Sequence, residues 1–143
     1  MILLDAYALI AFVGGEPVGA DVGGLLRERS AGITTVNLAE AIDVLGRVHG
    51  APIDRTRSIV DSLVGGPLTV IAFESRHAWR TASLRCAHYH RTKRSLSLAD
   101  CALLAVAAEG HAIATADRDV VAVARAEGIE TIALPDSRGR RLR

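Results

Sequence analysis

Several features typical of membrane or secreted proteins are scarce in this sequence. The longest uninterrupted apolar run extends only over residues 101–108, far short of the roughly 20 residues that a membrane-spanning helix requires. Asp5 interrupts the first apolar stretch, and no basic leader precedes it. We therefore expect no signal peptide, no membrane anchor and a cytoplasmic location.

Cysteine and lysine are also rare. The two cysteines, Cys86 and Cys101, lack metal-ligand spacing, and a single pair provides no disulfide framework. We expect both to be free thiols packed as small hydrophobic side chains. Of the 17 basic residues only Lys93 is a lysine, and the formal net charge is +1. Overall charge therefore says nothing about partners, and only its distribution along the chain is informative.

The pattern that is present is an alternation of short apolar runs with longer helical stretches. The 143 residues, half of them hydrophobic, are enough for one domain with a substantial core. The predicted strands are 2–5, 32–35, 69–72, 112–115 and 130–134. The predicted helices are 18–29, 36–49, 54–64, 74–91, 98–109 and 120–127. This order predicts an α/β fold with a parallel sheet, formed by a single domain over residues 1–143 with a flexible basic tail at 136–143.

Glycines mark the ends of three predicted helices. Gly50, Gly110 and Gly128 each follow a helical stretch, where a left-handed residue commonly ends the helix. The segment 65–67, Gly-Gly-Pro, separates the third predicted helix from the third strand.

Two acidic residues lie near the carboxyl ends of the first two predicted strands. Asp5 directly follows the apolar residues 2–4, and binding crevices of open parallel sheets lie beyond the carboxyl ends of strands. It is equally suited to cap a helix starting near Ala6. Glu40 lies one turn inside the helix after the second strand, where it either faces the same edge or is an ordinary solvated residue.

Two further acids stand at later strand and helix boundaries. Ser97 and Asp100 have the spacing of a capping box, which would fix the carboxylate of Asp100 in the first helical turn. Asp117 follows the fourth predicted strand. We expect Asp119 mainly to cap the helix that begins at residue 120, with a contact to metal or water as the alternative.

The four acids are more informative together than singly. Two unit charges about 5 Å apart repel by roughly 3 kcal/mol at an effective dielectric constant near 20, and four carboxylates form six such pairs. A domain is stable by only about 5–15 kcal/mol. Such a cluster must protonate, spread apart or hold a cation, and an all-oxygen site favours Mg²⁺ or Mn²⁺. Phosphoryl transfer is the chemistry that such a site serves most naturally.

The residues around these acids resemble the PIN domain, and most closely the VapC-type toxins of type II toxin–antitoxin pairs. The segments that carry the resemblance are Leu-Leu-Asp5, Leu-Ala-Glu40, Leu-Ser-Leu-Ala-Asp100 and Ala-Thr115-Ala-Asp117-Arg-Asp119. It implies a three-layer α/β/α fold with a sheet of about five strands in the order 3-2-1-4-5. It also implies Mg²⁺-dependent endonucleolytic cleavage of single-stranded RNA, a homodimer, and an antitoxin protein that covers the groove.

The resemblance assigns catalytic roles to Asp5, Glu40, Asp100 and Asp117. Asp5 and Asp100 are the expected direct metal ligands, and the other two would act through water. Thr115 and Asp119 are possible accessory residues. Family members usually carry a small hydroxyl residue after the first aspartate, whereas Ala6 and Tyr7 follow here, so Asp5 is expected to lack that neighbour.

Basic residues are concentrated between positions 76 and 94, a segment without acids. On a continuous helix, a stripe of arginines would face solvent and contact RNA phosphates. The predicted contacts are Arg76, Arg80, Arg91 and Arg94. Trp79 and Tyr89 are expected in the core, and His77, His88 and His90 in solvent.

Two other classes of protein fit the residues less well. A phosphatase or phosphotransfer domain would carry a second aspartate two residues after Asp5, where Tyr7 stands, or an aspartate after the third strand, where Phe73 stands. A non-catalytic PIN-like module that only binds RNA is disfavoured by the four retained acids. The sequence does not identify the RNA that is cleaved.

Overall fold

The computed structural model describes residues 1–28 and 30–141, which form a five-stranded parallel sheet. The strand order is β3-β2-β1-β4-β5, and every neighbouring pair is parallel. The strands are β1 (Ile2–Leu4), β2 (Ala31–Thr34), β3 (Thr69–Ile71), β4 (Ala112–Thr115) and β5 (Thr131–Ala133). The predicted fold class and strand order are therefore confirmed.

Helices connect and cover the strands. They are α1 (Ala6–Gly14), α2 (Gly19–Arg27), α3 (Thr35–Arg47), α4 (Ile53–Val64), α5 (Ser75–His88), α6 (Leu98–Ala107) and α7 (Arg118–Ala126). The predicted end of the second of these at residue 29 lies outside the described residues. In the part of the chain that the structure describes, no helix is both long and apolar enough to cross a bilayer.

Helix α1 is absent from the predicted helical stretches, and the bounds of the other helices differ from the prediction by up to three residues. Residues 6–14 are almost uniformly apolar, so their sequence shows no helical period of 3.6 residues. In the structure they form α1, in which residues 8–11 are buried. Helix α5 ends at His88 because Tyr89 has extended backbone angles. Gly50, Gly110 and Gly128 have positive φ angles, as predicted.

Two apolar clusters pack on opposite faces of the sheet. Leu4 and Ile33 lie in a cluster with α1, α2 and α3. Leu3 and Ile113 lie in the other, with α6 and α7. Leu3 and Leu4 can belong to different clusters because successive side chains of a strand point to opposite faces. Because all neighbouring strands are parallel, the carboxyl ends of the five strands lie at the same edge of the sheet.

The predicted orientation of α5 was wrong. Trp79 is 81% exposed and Tyr89 41% exposed, and Cys86 is exposed while Cys101 is buried. The buried residues of α5 are His77, Thr81 and Leu84. The two ring nitrogens of His77 are occupied: Nδ1 accepts from the backbone N–H of Glu74 at 2.9 Å, and Nε2 lies 3.1 Å from Glu109 Oε1.

These partners explain why a polar side chain is buried in place of an aromatic one. A buried polar group is tolerated when its hydrogen bonds are made, and Glu109 comes from the end of α6, beyond the reach of any local pattern. His88 is half-buried, with Nε2 lying 2.7 Å from Glu127 Oε1. His90 is exposed as predicted.

The last residues were predicted to form a flexible tail, and that flexibility stays a prediction. In the structure, residues 136–141 form a turn in which Arg141 bridges back to Pro135. Residues 142 and 143 lie outside the described residues.

The corrected orientation of α5 predicts a contrast between two truncations. Trp79→Ala is expected to change the free energy of unfolding by less than about 0.5 kcal/mol, because the side chain is exposed. Leu84→Ala, in the buried face of the same helix, is expected to cost about 2–5 kcal/mol. Urea denaturation followed by far-UV circular dichroism measures both. Equal losses would show that Trp79 is packed after all.

Candidate active site

One pocket at the carboxyl edge of the sheet contains all four predicted acids. It has a volume of about 610 Å³ and is lined by Asp5, Glu40, Asp100 and Asp117 among others. β1 and β4 are neighbours, with Leu4 paired to Ala114, so Asp5 and Thr115 follow side by side. The pocket lies where the chain order of strands reverses, which is the usual binding position in open α/β sheets.

Asp5 is buried and fully hydrogen-bonded. Its Oδ1 accepts from the backbone N–H of Ala8 at 2.7 Å, which makes it the N-cap of α1. Its Oδ2 accepts from the hydroxyl of Thr115. Burial raises the pKa of Asp5 to about 7; the bonds from Thr115 and Ala8 oppose this rise, and the charges of Asp100 and Asp117 add to it. Asp5 is thus both a helix cap and a buried carboxyl group with a raised pKa.

Thr115 connects two of the acids. Its Oγ1 donates to Asp5 and accepts from the backbone N–H of Asp117 at 3.0 Å. The hydroxyl neighbour that was expected to be missing because of Ala6 is therefore supplied from β4. Tyr7 is half-buried, and its hydroxyl donates to the carbonyl of Pro135 at 3.4 Å.

Asp100 is held by the predicted capping box. Its Oδ2 accepts from the backbone N–H of Ser97 at 2.7 Å, and its own N–H donates to Ser97 Oγ at 3.0 Å. The structure bears out the capping box and, with it, the placement of this carboxylate in the first turn of α6.

The cap of α7 was assigned to the wrong residue. Asp117 Oδ1 accepts from the backbone N–H groups of Asp119 at 2.6 Å and Val120 at 3.3 Å, so Asp117 is the N-cap. The chain enters the helix at Arg118, two residues earlier than predicted. Asp119 Oδ2 instead accepts from the backbone N–H of Ser95 at 3.1 Å, which ties α7 to the segment preceding α6.

The start of the helix that carries Glu40 is fixed by a buried polar pair, Thr34 and Asn37, which the sequence analysis did not predict. Thr34 caps α3 by accepting from the N–H of Asn37 at 3.1 Å, and its hydroxyl donates to the Asn37 side chain. The amide of Asn37 then donates to the carbonyl of Ala99 at 3.4 Å. This contact joins the first turns of α3 and α6. Asp100 lies in the first turn of α6, and Glu40 lies in the turn of α3 that follows the contact. Burial, and then the charges of Asp100 and Asp43, raise the pKa of Glu40.

Two further carboxylates, Glu16 and Asp136, line the same pocket. Asp136 follows β5, so the rule that identified Asp5 and Asp117 could have found it. Glu16 lies in the loop after α1, and no sequence signal distinguishes it. The pocket therefore has six carboxylates, with His49 as the one basic side chain among its described lining residues.

The donor set of this pocket suits a hard divalent cation, but the side chains do not form a closed cage. Among residues 1–28 and 30–141, no three acidic, histidine or cysteine side chains lie close enough together to hold a metal as they stand. Asp100 and Asp117 each use one carboxylate oxygen in a cap. The buried charge of Asp5 and the all-oxygen chemistry favour Mg²⁺ or Mn²⁺.

The arginines predicted to contact RNA do not form one stripe. Arg76 is paired with Glu109 at 2.8 Å and with Glu74, and Arg80 with Glu127 at 2.6 Å. Arg91 and Arg94 follow the end of α5, in a turn closed by a bridge between His90 and Arg94. The four residues are absent from the described lining of the acidic pocket. Their contact with RNA stays a prediction.

The fold and the acidic pocket together define a known class of domain. The sequence matches the PIN domain family over residues 2–135. The chain belongs to this family, as the resemblance predicted. A search of curated proteins found no match.

Solved structures with this fold include three from different bacteria. VapBC2 from Rickettsia felis, bound to a DNA fragment from their promoter, aligns with a TM-score of 0.69 and 16% identity over 94% of this chain and 99% of that chain. DNA-bound VapBC from Salmonella typhimurium gives 0.68 and 16% over 92% and 96%. FitAcB from Neisseria gonorrhoeae gives 0.64 and 18% over 92% and 96%. At these identities the likeness shows the fold alone.

Asp5→Asn is expected to stabilise the metal-free protein at pH 8. The pKa of Asp5 is about 7 in the folded protein and near 3.9 in an unfolded chain, so the folded state binds the proton more tightly. The contribution of Asp5 to stability therefore falls as the pH rises from about 4 to about 7, by on the order of 4 kcal/mol. Asparagine cannot ionise, so the variant avoids this loss.

Urea denaturation in EDTA from pH 4 to pH 8 measures the effect. Asp61→Asn, on the exposed face of α4, is the matched control and should follow the wild type at every pH. A difference between wild type and Asp5→Asn that does not grow with pH would contradict the raised pKa. Addition of Mg²⁺ at pH 8 should raise the melting temperature of the wild type more than that of Asp5→Asn.

Thr115→Val is expected to raise the pKa of Asp5 further, because it removes the hydroxyl that donates to this carboxylate. It also leaves the N–H of Asp117 without its acceptor, at a cost of about 1–3 kcal/mol. Thr115→Ser keeps the hydroxyl and should stay close to the wild type in both respects. A carbon-13 NMR titration of the Asp5 carboxyl group and urea denaturation are the measurements. Equal behaviour of the valine and serine variants would rule out the hydroxyl as the cause.

Proposed function

We propose that the chain is a Mg²⁺-dependent endoribonuclease that cleaves single-stranded regions of RNA. The observation that carries this proposal is the convergence of Asp5, Glu40, Asp100 and Asp117, from four separate elements, on one pocket that also belongs to a PIN domain. A pocket with six carboxylates repels a polyanion such as RNA unless a cation is bound first. The substrate therefore requires the metal for binding as well as for chemistry.

The residues of the pocket would have different roles in the reaction. Asp5 and Asp100 would hold the ion, and Mn²⁺ would serve in place of Mg²⁺. When bound, the metal polarises the phosphodiester and lowers the pKa of the attacking water. Glu40 and Asp117 would orient that water, and Thr115 would keep Asp5 and Asp117 in place. Attack by water on phosphorus, with the 3′ oxygen as the leaving group that takes up a proton, would leave 5′-phosphate and 3′-hydroxyl ends.

We further propose that the protein is the toxin of a toxin–antitoxin pair, acting as a homodimer in the cytoplasm. The support is the fold shared with chains from toxin–antitoxin complexes. A small DNA-binding protein encoded beside this chain is the partner to seek. Its binding segment would cover the acidic pocket, so it should carry a basic side chain to offset the carboxylates.

Single-turnover cleavage of total RNA tests the nuclease proposal. Cleavage is expected with Mg²⁺ and not with EDTA. Asp5→Asn and Asp100→Asn should each lower the rate by about 100-fold or more, since each removes part of the metal site. Asp61→Asn, on the exposed face of α4 and paired with Arg57, is the matched control and should retain full activity.

Three results would overturn the assignment. Cleavage that survives EDTA would remove the metal from the mechanism, and cleavage that survives in both variants would remove the pocket. Binding of RNA without any cleavage by the wild type would leave the non-catalytic PIN-like module as the function. Mapping of the product ends checks the direction of attack, since 2′,3′-cyclic phosphates would indicate the RNA's own hydroxyl as the nucleophile.

A further inference from the structure

A second cleft lies next to the acidic pocket and has the opposite charge. Its volume is about 1020 Å³, and it runs between α7 and the turn formed by residues 136–141. Its basic lining residues are Arg118, Arg125, Arg140 and Arg141. Asp136 is the one carboxylate among its described lining residues.

The α7 wall of this cleft follows from helix geometry. Arg118, Val121, Ala122 and Arg125 are spaced i, i+3, i+4 and i+7, so they share one face of the helix. Arg118 and Arg125 are roughly 10 Å apart along the helix axis, and both are exposed. Small apolar side chains lie between them, which leaves the space between the two guanidinium groups open.

The two α7 arginines differ from the other basic residues of the cleft. Arg140 donates to Asp136 Oδ2 at 3.0 Å. Arg141 donates to Asp21 Oδ1 at 2.6 Å and to the carbonyl of Ala133 at 2.9 Å. Arg118 and Arg125 have no ion-pair partner within residues 1–28 and 30–141. The arginines of the turn are thus held by hydrogen bonds within the protein, whereas the two guanidinium groups of α7 carry positive charge that no described carboxylate offsets.

The cleft and the acidic pocket are continuous. Ala116 and Asp136 line both, and Arg118 directly follows Asp117. A chain that lies in the cleft therefore reaches the carboxylates without leaving the surface. A polyanion would have unfavourable contacts at the pocket and favourable ones in the cleft.

We propose that this cleft binds the phosphate backbone of single-stranded RNA on one side of the cleaved bond. The inference rests on the proposed nuclease function and adds the path of the substrate. Contacts from guanidinium groups to phosphates supply affinity without sequence preference. Arg76 and Arg80 of α5 already face Glu109 and Glu127, so α7 is the better docking face for RNA.

The test measures the affinity for a fluorescein-labelled single-stranded RNA by anisotropy, with Ca²⁺ in place of Mg²⁺ so that binding is observed before cleavage. The double variant Arg118→Gln/Arg125→Gln should bind about tenfold more weakly at 50 mM salt. The slope of log Kd against log salt should decrease by roughly 1.4, or about 0.7 for each lost phosphate contact with a single strand.

Two comparison variants keep the result interpretable. Arg57→Gln/Ser58→Glu makes the same change of net charge on the exposed side of α4, away from the cleft and the acidic pocket, and should leave affinity and slope unchanged. Arg118→Lys/Arg125→Lys keeps the charges and should recover most of the affinity. Both positions in the cleft are exposed, so the melting temperatures of these variants should match the wild type.

The outcomes separate this inference from the proposed function. If the glutamine double variant keeps the affinity and the slope of the wild type, the cleft is not the RNA path, whether or not the wild type cleaves RNA in Mg²⁺. Equal losses for the α4 control, or for the lysine variant, would also overturn it. If the predicted losses occur but the wild type does not cleave RNA, the nuclease proposal fails and the cleft is a binding site alone.

Discussion

One buried hydroxyl group, that of Thr115, connects the acidic pocket to the central sheet. Thr115 stands at the end of β4, donates to Asp5 at the end of β1, and accepts from the N–H of Asp117. The contact exists only because β1 and β4 are parallel neighbours with Leu4 opposite Ala114. The crossover that makes these strands neighbours therefore also decides where two of the four acids lie. Any change that separated the two strand ends would disperse the pocket.

The caps and the acidic site are one arrangement. Asp5, Asp100 and Asp117 each accept from backbone N–H groups at the start of a helix, so the positive ends of α1, α6 and α7 face the carboxylates. Each such end offsets about 0.3–1 kcal/mol, whereas each pair of close carboxylates costs roughly 3 kcal/mol. The helix ends therefore hold the side chains in place without offsetting a close carboxylate pair. The pKa of Asp5 is raised mainly by burial, and the charges of Asp100 and Asp117 add to this rise.

The sequence predicted the features that depend on neighbouring residues. Apolar runs located the strands, and the Ser97–Asp100 spacing predicted a capping box that the structure contains. The sequence failed where a distant partner decides. His77 is buried because its Nε2 hydrogen-bonds to the carboxylate of Glu109, 32 residues away. This partner cannot be read from the local pattern, which had placed Trp79 in the core instead. The hydrogen bond from Thr115 to Asp5 spans 110 positions; the sequence predicted a hydroxyl at the end of β4, but no local pattern shows which carboxylate accepts from it.

The net charge of +1 conceals a strong separation of charge. Six carboxylates line one cavity, and four guanidinium groups line its neighbour. Asp136 lies on the boundary, where both of its oxygens accept from the turn that carries Arg140. Because the Arg140 guanidinium offsets the charge of this carboxylate, Asp136 marks the boundary between the two cavities without closing either. Under the proposed function, a cation in the acidic pocket would offset part of its negative charge, so metal binding would influence where a strand lies as well as whether it reacts.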